Sequence, residues 1–207
     1  MSQRIRFGLL WIVGIFWFCG CSRSPHASYL QQVSDFTIGS VALQVADNGG
    51  HDKKYLKLAS EIAPQEPAVW ADLGLMELRA SPPNYQKAAQ YLQKAEQLDP
   101  NSSAIQRLLG LLAFQQGKIG EAIQYYQRAV QLNPNDLRAR YELAYSYDQL
   151  GTPAGLQQEL QQLKAILQQR PDNLFAQLQL LQVAARQGDV ATLKQALAML
   201  QARTTTF

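Results

Sequence analysis

Apolar residues recur along this chain at helical spacing, in short blocks. In PAVWADLGLMELRA, Trp70, Leu73, Gly74 and Glu77 fall at i, i+3, i+4 and i+7, a single stripe that predicts a helix. After the turn-forming SPPNY comes YQKAAQYLQKAEQLDP, in which Ala88, Leu92 and Ala95 share one face and Pro100 ends the run. The pattern then repeats. KAEQLDPNS at Lys94–Ser102 returns as RAVQLNPND at Arg128–Asp136, thirty-four residues on. Pro64, Pro100, Pro134 and Pro171 are spaced by 36, 34 and 37 residues, a recurrence that marks stacked supersecondary units. Each proline stops a helix because it lacks an N–H and clashes with the preceding turn, and the Asn or Asp that follows is expected to cap the next helix.

Small residues at Gly74, Gly110, Ala144, Ala88, Ala122, Ala95 and Ala129 allow close helix approach, and Trp70, Leu73, Leu109, Tyr126 and Leu143 fill the space beside them. A four-helix bundle or coiled coil would need long uninterrupted heptads, which the regular Pro and Gly positions break. The expected fold is all-α: a solenoid of antiparallel helix pairs.

The spacing and letters resemble the tetratricopeptide repeat (TPR), a helix–turn–helix of about 34 residues. Its conserved slots read Trp70, Leu73, Gly74, Glu77, Ala88, Leu92, Ala95 and Pro100 in the first unit, where Glu77 departs from the pattern. The second unit offers Leu109, Gly110, Gly117, Ala122, Tyr126, Ala129 and Pro134, with Gln106 in the Trp slot. The third has Leu143, Ala144, Tyr147 and Gly151, then a longer second helix carried by Leu156, Leu160, Leu163 and Leu167; the fourth keeps Gly188. The resemblance implies a right-handed solenoid with repeats at 65–100, 101–134 and 135–171, a degenerate repeat at 172–203 and a degenerate helix pair at 29–64.

The first twenty residues read differently. Arg4 and Arg6 precede an uncharged, mostly apolar run from Phe7 to Gly20. Fourteen helical residues rise about 21 Å, short of a bilayer core of roughly 30 Å, so residues 1–20 fit a secretion signal better than a membrane span. FCGC at Phe18–Cys21 resembles the lipobox of bacterial lipoproteins, which implies acylation (palmitate among the chains) at Cys21 and a tether over 21–28. A conventional cleaved signal and an uncleaved short anchor are the alternatives. The implied location is the bacterial cell envelope, on the periplasm-facing side of a membrane or at the outer membrane.

Charge and chemistry narrow the function. The net charge of +3 falls to +1 once Arg4 and Arg6 leave with the leader, too little and too dispersed for a nucleic-acid partner. Cys19 and Cys21 are the only thiols and His26 and His51 the only histidines, so neither a disulfide framework nor a zinc motif is legible in the body. ADNGGHD at Ala46–Asp52 lacks the Lys-Ser/Thr of a phosphate loop. No cofactor, metal or catalytic residue is expected.

The TPR resemblance instead implies a concave face lined by each unit's first helix. The transferred positions are Ala68, Ala71, Leu75 and Leu78, then Arg107, Leu111 and Phe114, then Arg138, Tyr141, Tyr145 and Asp148, and finally Phe175, Leu178 and Arg186. Tyr141 and Tyr145, one turn apart, are expected to form an exposed ledge, whereas Leu75, Leu111 and Leu178 fit inter-helix core equally well. The two-carboxylate clamp of chaperone-binding members is not legible in these slots. The expected function is a non-catalytic, membrane-anchored scaffold that binds a peptide or protein. An assembly factor for a pilus or outer-membrane complex is the alternative. A further one is the repeat portion of an exported FG-GAP propeller protein, which GSVALQVAD and EPAVWADLGLMELR resemble.

Overall fold

The computed structural model describes residues 53–204. The signal segment, Cys21, the tether and most of the 29–64 helix pair lie outside the described residues. Within them the chain is helical, with no strand: α1 (Lys53–Ile62), α2 (Pro67–Arg79), α3 (Tyr85–Leu98), α4 (Ser103–Gln115), α5 (Ile119–Leu132), α6 (Leu137–Gln149), α7 (Pro153–Gln169), α8 (Leu174–Gln187) and α9 (Val190–Thr204).

The repeated spelling is local hydrogen bonding. Around Pro100, Pro134 and Pro171 the N–H of the second residue after the proline donates to the carbonyl just before it: Ser102 to Asp99 at 3.4 Å, and Asp136 to Asn133 and Asn173 to Arg170 at 3.1 Å each. Proline suits the second position of such a turn because its φ is already set. Asp99 and Asn133 also accept from the N–H two residues on, of Asn101 and Asn135, at 3.1 Å. The cap is that second residue: Ser102 accepts from the Ile105 N–H, Asp136 from Ala139 and Asn173 from Ala176. Asn101, directly after Pro100, does not cap; its side-chain Oδ1 accepts from Arg128 Nη2 of α5 at 3.1 Å.

The Trp slot has a physical definition that its letters hide. Trp70 Nε1 donates to the Pro64 carbonyl at 2.9 Å, Gln106 Nε2 to Pro100 at 3.4 Å, Arg140 Nε to Pro134 at 2.9 Å and Gln177 Nε2 to Pro171 at 2.6 Å. Any side chain with an N–H at that reach fixes the helix to its preceding turn, and each such bond stabilises by about 1 kcal/mol. Gln106 is therefore a substitute donor.

No single centre collects the core. Leu56 and Ala59 of α1 pack with Val69 and Leu73 of α2. Leu78 then joins Leu92 of α3 and Leu109 of α4; Ala113 joins Tyr126 of α5 and Leu143 of α6; and Leu163 of α7 joins Leu180 of α8 and Ala196 of α9. Each cluster spans neighbouring helices only, the arrangement of a solenoid. Pairs close tightly where glycine meets a large residue: a Cβ on Gly74 would lie 2.6 Å from Leu92, and one on Gly110 2.7 Å from the Tyr126 ring. Gly117, Gly151 and Gly188 have φ of 75°, 61° and 70°, the left-handed turn between paired helices that a side chain would strain.

Candidate functional site

The first helices of successive units, α4, α6 and α8, meet through side chains far apart in sequence. Phe114 of α4 lies against Tyr145 of α6, with ring centroids 5.4 Å apart. Tyr141 of α6 meets Phe175 of α8 edge-on, also at 5.4 Å. Arg186 Nη1 of α8 donates to Asp148 Oδ1 of α6 at 2.6 Å. Arg107 of α4 and Arg138 of α6 both donate to Glu142 Oε1, at 3.3 and 3.2 Å, and Arg107 Nε lies 4.0 Å from Asp136. Burial raises the Glu142 pKa, and the two guanidiniums pull it the other way.

The transferred positions do not share one environment. Tyr145, Phe175 and Leu178 are 55%, 58% and 48% exposed, and Arg138 is exposed too. Phe114, Tyr141 and Asp148 are half-buried. The ledge of two tyrosines is replaced by Tyr145 alone, because Phe175 rests on Tyr141. Arg107 is mostly enclosed by its acidic partners, and Leu111 packs half-buried on the core of α2–α4. Ala71 and Leu78 are buried in that same core, because α3 and α4 close over them, so they present no surface.

Between α6, α7 and α8 lies a hollow of about 210 Å³, lined by Tyr141, Tyr145, Asp148, Glu159, Phe175 and Arg186 among others. Glu159 of α7 is absent from the sequence-derived positions. It is 5% exposed, and its Oε2 has no hydrogen-bond partner. Burial pushes its pKa up to about 7; Asp148 adds to the shift and Arg186 opposes it. The signal was present in the sequence, since Glu159 stands four residues before Leu163 and seven before Ile166, a carboxylate on an apolar stripe. Among the described residues no group of three or more His, Cys, Asp or Glu is placed to hold a metal ion, and no helix is long and apolar enough to cross a membrane.

Residues 110–151 match the TPR repeat family. The matched segment runs from Gly110, through the Tyr126 contact, to the left-handed Gly151. Solved structures share the fold over a wider span. The chain is 18% identical to MamA from Desulfovibrio magneticus, covering 84% of this chain and 96% of that one with a TM-score of 0.62. A tetratricopeptide repeat protein from Parabacteroides merdae is 19% identical, covering 83% and 67% at a TM-score of 0.62. YrrB, described as a TPR protein with an unusual peptide-binding site, is 19% identical, covering 86% and 90% at a TM-score of 0.60. No curated protein sequence matches the chain.

Proposed function

We propose that this protein is a non-catalytic interaction scaffold, anchored to a bacterial envelope membrane through a lipid on Cys21, that binds a peptide or partner protein on the face of α4, α6 and α8. The observation that carries the reading is the exposed strip of Tyr145, Phe175 and Leu178, set beside the Asp148–Arg186 ion pair. Exposed aromatics beside arginine are the residues that concentrate binding energy at protein interfaces. The fold shared with TPR proteins, one of them described as having a peptide-binding site, agrees with it.

A photo-crosslinking residue at Tyr145 or Phe175, introduced in cells, is expected to capture one partner that the same residue at the exposed Gln131 of α5 does not. Tyr145→Ala with Phe175→Ala is expected to weaken that partner by about 30-fold or more, measured by calorimetry, since hot-spot residues contribute about 2 kcal/mol or more. Undiminished binding with the fold intact would reject the face. Anchoring has its own test: Cys21→Ser is expected to abolish metabolic palmitate labelling and release the protein from membranes, and persistent label would reject the lipid.

A further inference from the structure

We infer that the hollow between α6, α7 and α8 receives a basic side chain, a lysine ammonium or arginine guanidinium, from the bound peptide. This rests on the binding face proposed above and names what one part of it reads. The hollow of about 210 Å³ is smaller than the roughly 300 Å³ at which drug-sized pockets begin, so it suits a single side chain. Its charge selects which one. Two carboxylates, Asp148 and Glu159, line it against one guanidinium, and Arg186 is already committed to Asp148 at 2.6 Å. An incoming anion would meet both carboxylates, and among the described residues of the lining the one cation, Arg186, is already paired with Asp148. An apolar group would leave Glu159 Oε2 buried without a donor, an arrangement that is costly in low dielectric. A cation supplies both the missing donor and the missing charge.

The walls fit the rest of such a side chain. The exposed rings of Tyr145 and Phe175 stand at the lining and offer faces to an alkyl stem or a guanidinium plane. Glu159 faces Asp148 from α6 and Arg186 from α8, so its ionisation, and with it cation binding, strengthens as pH rises through neutrality.

The test uses n-butylammonium, which reproduces the lysine side chain, and 1-butanol, its neutral counterpart. Carbon NMR of the Glu159 carboxyl in the full-length protein at about pH 8 is the readout. Butylammonium is expected to shift Glu159 saturably and to bind about tenfold more tightly than butanol, a preference lost in Glu159→Gln when binding is followed in both proteins by the ring signals of Tyr145 and Phe175. No saturable shift, equal response to both probes, or an unchanged preference in Glu159→Gln would overturn the inference. A random peptide library selected on the full chain separates the two levels. Peptides that need Tyr145 and Phe175 but lack a basic residue sink the cation hollow alone. A failure to enrich any peptide dependent on those two residues sinks the binding face beneath it.

Discussion

Truncation of Tyr126 to alanine is expected to destabilise the protein by about 3–5 kcal/mol, the range for deleting a buried aromatic side chain. Tyr126 is 1% exposed, and its ring fills the space that Gly110 leaves by having no side chain. It also packs with Ala113, Ile123, Leu143 and Tyr147, and so ties α4 and α5 to α6. In a solenoid each unit is stabilised mainly by its immediate neighbours. Loss of this contact is therefore expected to uncouple α1–α3 from α7–α9 as well as to lower the midpoint. Urea unfolding followed by far-UV circular dichroism should change from one transition to two. A midpoint shifted by less than about 1 kcal/mol would mean that Tyr126 is not the tie, because buried truncations of this size cost several times more.

Glu159→Gln is expected to act in the opposite direction above neutral pH. The ordinary glutamate pKa of 4.5 is pushed up to about 7 here, chiefly by burial and then by Asp148, with Arg186 opposing. Between those two values the folded protein keeps a proton that the unfolded chain has released, so stability falls as pH rises across the window. Above about pH 7 the loss is complete, up to about 3 kcal/mol. The glutamine variant carries no such titration. Its thermal midpoint is expected to fall less between about pH 5 and 8 than the wild type's and to exceed it at about pH 8 by an amount worth about 1–3 kcal/mol. A wild-type midpoint that rises with pH over that interval would contradict a Glu159 carboxyl whose pKa is raised by burial.

The two residues differ in how far the sequence announced them. Tyr126 lies in a slot that both periodicity and family resemblance mark, opposite a glycine sixteen residues earlier, and its burial follows. Glu159 lies on a legible stripe, but whether its carboxyl reaches water depends on how α6 and α8 cross α7. The same division runs through the binding face. Tyr141 and Leu178 stand at the same place, one residue after the donors Arg140 and Gln177, yet Tyr141 is half-buried against Phe175 while Leu178 is exposed. Coverage by a neighbouring helix decides between them, and no local pattern encodes it.

What the amino-acid order alone determined was the punctuation of this protein: where each helix stops, turns and restarts, and which small residue must face a large one. Those features rest on prolines, turn-forming Asp and Asn, caps and glycines acting within a few residues of themselves, so their physics is local. Tertiary structure decided which side chains of α4, α6 and α8 face water and which pair across 35 or 38 residues, as Arg107 does with Glu142 and Arg186 with Asp148. It also decided that Glu159 of α7 would line a hollow with its Oε2 accepting no hydrogen bond. Burial and ion pairing are properties of the assembled helices, fixed only once each pair has a neighbour to lie against.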